Sequence, residues 1–204
     1  MNILHISCSS RGPASESSRL AHAILDQLLL DHPAARVITR LIGGNTIPHV
    51  DAHYAASQQA SSDVAAEGST ALSDALIKEL EQADMLVIST PMHNFSLPSA
   101  LKAWIDHIAR VRRTFNIGPN GKSGLLTDRP VFIAIAAGGH FSGERARQPD
   151  FLRPYLRSVL NMIGLHDLHF FTAEGTAMGP EALNDARNGA ERALQLHFST
   201  STPA

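Results

Sequence analysis

Short apolar runs alternate with longer amphipathic segments along the 204 residues of the chain. Five of the apolar runs predict β-strands, at residues 3–7, 36–41, 85–88, 131–137 and 167–172. The third and fourth runs are continuously apolar, as is typical of parallel strands that are covered on both faces. The second run is more polar, which indicates a position near an edge of the sheet.

Between the predicted strands, apolar residues recur at spacings of three and four, which is the period of an α-helix. The two clearest stripes are Leu20, Ile24, Leu25 and Leu28, and Leu72, Leu76, Ile77 and Leu80. Further helices are predicted at residues 98–111, 151–163 and 180–198, and residues 43–70 are predicted as a long excursion with some helix. Strands that alternate with helices predict right-handed crossovers and a parallel sheet with helices on both faces. The chain is therefore expected to form one doubly wound α/β domain over residues 1–204.

The composition narrows the class of protein. Hydrophobic residues make up 44% of the chain and charged residues 18%, so neither disorder nor a fibrous repeat is indicated. A net charge of −2 argues against nucleic acid as the main partner. No apolar run approaches the roughly 18 residues that span a bilayer, and the single cysteine, Cys8, is typical of a reducing compartment. We therefore expect a cytoplasmic protein that binds neither nucleic acid nor membrane.

Three loops follow the first, third and fourth predicted strands, and ligands of open parallel sheets bind at such strand ends. Residues 9–18 bring hydroxyl groups to the start of a helix, where free N–H groups bind phosphate, although plain N-capping explains them as well. Residues 91–98 offer an aromatic ring, an amide and an imidazole to a flat heterocycle, or form an ordinary loop. Residues 136–141 contain paired glycines, which allow a close backbone approach or a tight turn. Together, at matching strand ends, the three loops predict a ligand site.

Other motifs with known chemistry are incomplete. The chain has no G-x-G-x-x-G, and residues 116–123, the nearest approach to a P-loop, begin with Asn116 and are predicted as a turn. It has no G-x-S-x-G, the marker of a nucleophile elbow. The 11 histidines include no convincing ligand set, so no metal site is expected.

The chain resembles the FMN-dependent NADH:quinone oxidoreductases, also called FMN-dependent azoreductases, over nearly its whole length. Residues 91–106 carry the longest part of the resemblance. The other shared motifs are Thr114-Phe115, Gly124-Leu125, Gly138-Gly139, Phe151-Leu152-Arg153-Pro154-Tyr155-Leu156, Ile163-Gly164-Leu165 and Ala173-Glu174-Gly175. The resemblance implies a flavodoxin-like fold and a homodimer with one FMN per subunit near the interface.

The resemblance also assigns FMN contacts within each of the three loops. The residues implied for the phosphate are Ser10, Ser15, Glu16 and Ser17. Those implied along the isoalloxazine are Met92, His93, Asn94 and Phe95. Those implied near the pyrimidine end and the ribityl chain are Ala136, Ala137, Gly138 and Gly139. Two positions depart from the family pattern, because the family usually has Tyr at His93 and often Ser-Arg at the two alanines. These departures are expected to shift the preference for acceptor or nicotinamide.

The chemistry implied by the resemblance belongs to the flavin rather than to a side chain. A nicotinamide, from NADH or NADPH, is expected to stack on FMN, pass a hydride and leave. A quinone or azo compound then takes the same place in a ping-pong cycle, with two rounds for an azo bond. No catalytic side chain is predicted. Phe115 is placed at the border of the acceptor pocket, with the core or a dimer contact as alternatives. His140 is placed at the same pocket, where it can hydrogen-bond an acceptor carbonyl, with an ordinary surface or loop histidine as the favoured alternative.

Two other functions share the predicted fold, since fold does not determine function. One is a flavodoxin-like electron carrier without substrate turnover of its own, which the nearly neutral charge disfavours because such carriers are commonly acidic. The other is a flavin-free signalling or binding domain. Flavin absorbance of the purified protein distinguishes a flavin-free domain from the two flavoproteins. NADH oxidation with a simple quinone distinguishes the oxidoreductase from the electron carrier.

Overall fold

A five-stranded parallel sheet forms the centre of the computed structural model, which describes residues 1–44, 47–59 and 68–201. The strands of the described residues are β1 (Asn2–Ser7), β2 (Arg36–Leu41), β3 (Met85–Pro91), β4 (Phe115–Gly118), β5 (Gly121–Gly124), β6 (Val131–Ala137) and β7 (Leu168–Glu174). The parallel sheet has the strand order β2-β1-β3-β6-β7, and β4 pairs with β5 in a separate antiparallel hairpin. The predicted five-stranded, doubly wound sheet is confirmed.

Six helices of the described residues cover the two faces of the sheet. They are α1 (Glu16–Asp31), α2 (Ala52–Gln59), α3 (Ser69–Gln82), α4 (Ser99–Ile108), α5 (Leu152–Ile163) and α6 (Pro180–Ser201). Helices α1 and α6 pack on one face, and α3, α4 and α5 pack on the other. Within these ranges, no helix combines the length and apolarity that crossing a bilayer requires.

Strand β6 shows why the central strands are continuously apolar. Val131, Ile133 and Ile135 pack on the face of α3, α4 and α5, whereas Phe132 and Ala134 pack on the face of α1 and α6. Every residue of the strand is buried, because successive side chains point to opposite faces and both faces are covered. The edge strand β2, in contrast, is largely exposed, as its polar sequence predicted.

The order of the strands reverses between β1 and β3, and this reversal creates a crevice at their carboxyl ends. Ser7, at the end of β1, pairs with Ser89 of β3, and Pro91 of β3 pairs with Ala136 of β6. The loops that follow these strands therefore start side by side at one edge of the sheet. This is the edge at which the sequence predicts the ligand site.

Three segments differ most from the sequence prediction. Residues 116–123, predicted as a turn, lie in the β4–β5 hairpin, whose two short strands end and begin at glycines. The helix predicted at residues 98–111 ends at Ile108, because Thr114 Oγ1 accepts a hydrogen bond from Arg110 N and donates to Ile108 O. The excursion at residues 43–70 contains α2, and its residues 45–46 and 60–67 lie outside the described residues.

Candidate functional site

Backbone hydrogen bonds hold the strand-end loops together. Cys8 N donates to Ser89 O at 2.9 Å, and Met92 N donates to Ala136 O at 2.8 Å. On the far side, Thr176 N donates to Ala137 O at 3.0 Å, which joins the loop after β7 to the loop after β6. The three loops predicted to carry the chemistry thus lie along one continuous edge.

The first loop ends in a capped helix N-terminus. Ser15 is the N-cap of α1, and its Oγ accepts a hydrogen bond from Ser18 N at 3.2 Å. The amides of Glu16 and Ser17 come first in the helix, so they have no acceptor within it. Free amides at the positive end of the helix dipole favour an anion such as phosphate. Ser10 lies exposed in the same loop, so its hydroxyl is accessible to such an anion.

The carboxylate of Glu16 is engaged away from these amides. Arg187 of α6 donates to it through Nε at 2.9 Å and through Nη2 at 2.5 Å, and Arg19 Nε donates at 3.2 Å. Hydrogen bonding from Arg187 lowers the pKa of Glu16, so the carboxylate is ionised and paired. Glu16 therefore offers the crevice its main-chain N–H rather than its side chain. The sequence pattern did not indicate Arg187, because it lies 171 residues away.

The second loop is a tight turn with an unusual backbone. His93 and Ser96 exchange two backbone hydrogen bonds of 2.9 Å, and Asn94 and Phe95 between them have φ angles of +48° and +68°. Such angles are common for asparagine but rare for phenylalanine. The turn is held by Phe151 N, which donates to Phe95 O at 3.0 Å. Backbone strain of this kind concentrates at functional sites.

The side chains of this turn form an exposed rim. His93, Asn94 and Phe95 are all exposed, and 45% of Phe95 is accessible to solvent. Met92 is half-buried, and its Sδ lies 3.3 Å from Gln148 Nε2. An aromatic ring, an imidazole and an amide are therefore available to a ligand at the end of β3.

The third loop presents backbone instead of side chains. Ala136 and Ala137 are buried, and Gly138 O and Gly139 O accept hydrogen bonds of 3.2 Å from the loop after β7. A Cβ at Gly139 would lie 2.9 Å from Gln148 Oε1, so the surface there is already closely packed. The loop therefore offers main chain rather than side chains beside Met92, whose N–H donates to Ala136 O, and such a surface suits the edge of a planar ligand.

A cavity of about 300 Å³ connects the first and second loops. It lies at the carboxyl ends of β1 and β3, beside the start of α4. The lining side chains and backbone include Ser10, Gly43, Ile47, His49, His93 and Ala103. Gly43, Gly44, Ile47 and His49 line the cavity but were not predicted as part of the site. The paired glycines that follow Ile42 were the signal that could have indicated them.

Phe115 and His140 do not line this cavity in the described structure. Phe115 is only 6% exposed and belongs to the hydrophobic core, with Lys122 Nζ 5.1 Å from the centre of its ring. His140 lies beside Glu174, with 4.0 Å between Nδ1 and Oε2, and lines a separate cavity of about 290 Å³ between β7 and α6. Of the residues predicted for the three loops, Ser10 and His93 line the cavity. The third loop begins beside the second, where Met92 N donates to Ala136 O, whereas Phe115 and His140 lie elsewhere.

Two buried titratable groups of β1 and the first loop, His5 and Cys8, offer little acid–base chemistry. Burial lowers the pKa of His5, beneath the first loop, to about 4, so its imidazole is neutral. Burial also raises the pKa of the Cys8 thiol, which stays protonated. Among the described residues, no group of three or more His, Cys, Asp and Glu side chains could hold a metal ion. The free amides at the start of α1 and the main chain of the third loop are compatible with a phosphorylated planar ring.

Comparison with known proteins identifies the family. The model of a family with a flavodoxin-like fold matches residues 1–198. The FMN-dependent NADH:quinone oxidoreductase 4 of Pseudomonas fluorescens is 45% identical over 195 residues, which cover 96% of this chain and 94% of the relative. The chain belongs to the FMN-dependent NADH:quinone oxidoreductase family. A second member of this family, FMN-dependent NADH:quinone oxidoreductase 5 of Burkholderia lata, is 42% identical, and the alignment covers 98% of each chain.

Solved structures with the same fold include two azoreductases. The azoreductase of Bacillus anthracis strain Sterne superimposes with a TM-score of 0.83 at 22% identity, covering 98% of this chain and 99% of its own. An FMN-dependent NADH-azoreductase from Bacillus anthracis, solved in complex with FMN, has a TM-score of 0.76 at 23% identity and covers 97% and 100%. Likeness at this identity shows the flavodoxin-like fold, as the sequence of this family member predicted.

Proposed function

We propose that this member of the family is an FMN-dependent oxidoreductase that uses NADH to reduce quinones and, in two rounds, azo compounds. The convergence of the three strand-end loops carries the proposal, because it combines an anion site with a main-chain surface and an aromatic rim. The names of the relatives at 42–45% identity supply the donor and the quinone acceptor. NADPH is the alternative donor.

Each loop has a separate task in binding FMN. Ser10 and the amides that follow the Ser15 cap would hold the phosphate. Met92 and the exposed rim at residues 93–95 would line the isoalloxazine, and residues 136–139 would contact its pyrimidine end through the backbone. Bound FMN supplies the two-electron chemistry between a nicotinamide and an acceptor.

The protein's own contribution is to bind and orient the two substrates in turn. His93 is exposed on the rim, so its ring can donate a hydrogen bond to an acceptor oxygen. The family more often has tyrosine at this position, and the smaller ring of His93 leaves more room for the acceptor. Because donor and acceptor use one surface, the kinetics are proposed to be ping-pong.

We further propose one domain over residues 1–204 that acts as a cytoplasmic homodimer, without nucleic acid or membrane as a partner. The family model spans residues 1–198, which supports the single domain. Phe95 and Phe151 leave 45% and 61% of their surfaces exposed side by side at the rim, and apolar surface of this kind favours an interface close to the crevice. Analytical ultracentrifugation tests the dimer, and a monomer at micromolar concentration would contradict it.

Steady-state oxidation of NADH by the purified protein alone tests the enzyme activity. With FMN present, we expect benzoquinone and an azo dye each to drive NADH consumption, with parallel double-reciprocal plots. A protein that binds FMN but turns over neither acceptor would be an electron carrier. A protein that is colourless and gains no thermal stability from added FMN would be a flavin-free domain.

A further inference from the structure

An ion-pair network links helix α6 to the first turn of α1. Arg187 of α6 makes two hydrogen bonds to the Glu16 carboxylate, of 2.9 and 2.5 Å, in the bidentate arrangement that is strongest for arginine. Arg19 bridges the same carboxylate at 3.2 Å and Glu191 of α6 at 2.8 Å. The Glu16 side chain is only 18% exposed, so solvent screens its charge less than that of a surface carboxylate.

This network sits where the sequence creates an electrostatic conflict. Glu16 is the first residue of α1, and its own N–H is one of the free amides proposed to hold the FMN phosphate. A carboxylate in the first helical turn is attracted to the same helix dipole as the phosphate, and the two anions repel each other. Hydrogen bonding from Arg187 keeps the pKa of Glu16 low, so this negative charge persists at neutral pH.

We propose that Arg187 is a positioning residue for the FMN phosphate, acting through Glu16. Its guanidinium neutralises the Glu16 carboxylate and fixes the first turn of α1 so that the free amides can donate hydrogen bonds to the phosphate. The inference rests on the proposed function, since it requires FMN as the ligand.

The docking of α6 does not explain the pair. Ala190 and Leu194 of α6 are buried with Leu20 and Ile24 of α1 in the same apolar cluster, which already joins the two helices. A role in docking alone also predicts that removal of either partner has the same effect, whereas charge compensation predicts opposite effects on FMN binding.

The dissociation constants of FMN and riboflavin, measured by fluorescence quenching with apoprotein, separate these roles. Arg187→Gln removes the bidentate partner and leaves the Glu16 carboxylate paired with Arg19 alone. Its Kd for FMN should therefore rise about five- to tenfold. Glu16→Gln should bind FMN at least as tightly as the parent, and the double variant should return to within about twofold of it. Riboflavin lacks the phosphate, so its Kd should be unchanged. The Arg187→Gln penalty should shrink with added salt.

Two further variants control for loss of an ion pair and for failure to fold. Arg40→Gln breaks the two hydrogen bonds between Arg40 and Glu79, a partly exposed pair that joins β2 to α3, and should leave FMN binding unchanged. Arg187→Lys keeps the charge without the bidentate geometry, so its Kd should lie between those of the parent and Arg187→Gln. If Arg187→Gln does not fold, Arg187→Lys and Glu16→Gln still test the proposal, because they should change the Kd for FMN in opposite directions.

The proposal is overturned if Arg187→Gln binds FMN like the parent, if Glu16→Gln weakens FMN as much as Arg187→Gln does, or if riboflavin loses affinity equally. Should Arg187→Gln be unfolded, Arg187→Lys with the parent's affinity for FMN would also overturn it. If the parent protein itself does not bind FMN, the proposed function fails instead. The two failures are therefore distinguishable.

Discussion

Replacing Gly43 with alanine should displace the first strand-end loop. Gly43 follows β2 and packs directly on the backbone of the loop after β1. A Cβ at this position would lie 2.2 Å from Ser9 O and 2.8 Å from Ser10 N. Both are backbone atoms, so no side-chain rotation relieves the contact. Ser9 O would have to retreat by roughly 1.2 Å to reach an ordinary contact of 3.4 Å.

The cost of this displacement can be estimated from overpacking in protein interiors, which destabilises by about 1–3 kcal/mol. For a chain of this size, each kcal/mol corresponds to roughly 2–4 °C in Tm, so the apoprotein should melt about 2–12 °C lower. Because Ser10 moves with its neighbour, FMN should also bind at least about tenfold more weakly, which is roughly 1.4 kcal/mol.

Differential scanning calorimetry of the apoprotein and titration with FMN measure the two effects of Gly43→Ala. Gly118→Ala in the β4–β5 hairpin is the matched control, because its Cβ would lie 3.9 Å from the nearest atom, Gly121 O. The control should change stability by less than about 0.5 kcal/mol and leave FMN binding unchanged. If Gly43→Ala matches the control in both measurements, the loop is not fixed as described and the reasoning is refuted.

Three further predictions concern residues beneath or on the rim. Phe95→Gly removes a side chain from a φ of +68°, so urea unfolding should show an apoprotein that is as stable or up to about 1 kcal/mol more stable, whereas its Kd for FMN rises. His93→Tyr should retain FMN and change kcat/KM across a series of quinones, and identical values would remove His93 from the acceptor face. Burial lowers the pKa of His5 from 6.5 to about 4. Between these two pH values the unfolded state binds more protons than the folded state, so the free energy of unfolding of the parent should fall by roughly 3 kcal/mol as the pH is lowered from 6.5 to 4. His5→Gln should show a flatter pH dependence of the free energy of unfolding, and parallel curves would contradict the assignment.

The main strands and helices could be predicted from the sequence because burial on both faces leaves a direct mark on it. The apolar run at residues 131–137 became β6 with the same bounds, and the stripe at Leu72 to Leu80 became α3. The place of the site followed from topology, since loops that leave adjacent parallel strands must share one edge. Both inferences use information that is local in the sequence.

The remaining features depend on contacts between distant residues. Within the strands of the hairpin at residues 115–124, only Phe115 is buried. These four-residue strands, each bounded by glycine, therefore show no alternation of apolar and polar residues. Residues 47–49 reach the cavity partly because His107 Nε2 donates to Pro48 O at 2.9 Å, across 59 residues. The pairing of Glu16 with Arg187 has no signal in either segment. A single sequence contains both residues of such a contact, but nothing in it indicates which distant residues pair with each other.

Anaerobic titration of the FMN-loaded protein with NADH tests the central claim most directly. If the three strand-end loops seat a flavin that moves the electrons, about one equivalent of NADH should bleach the visible flavin absorbance, and benzoquinone should then restore it. The restored protein should repeat the cycle without loss. A flavin band that NADH leaves unchanged, or a protein that retains no FMN after gel filtration, would contradict the account.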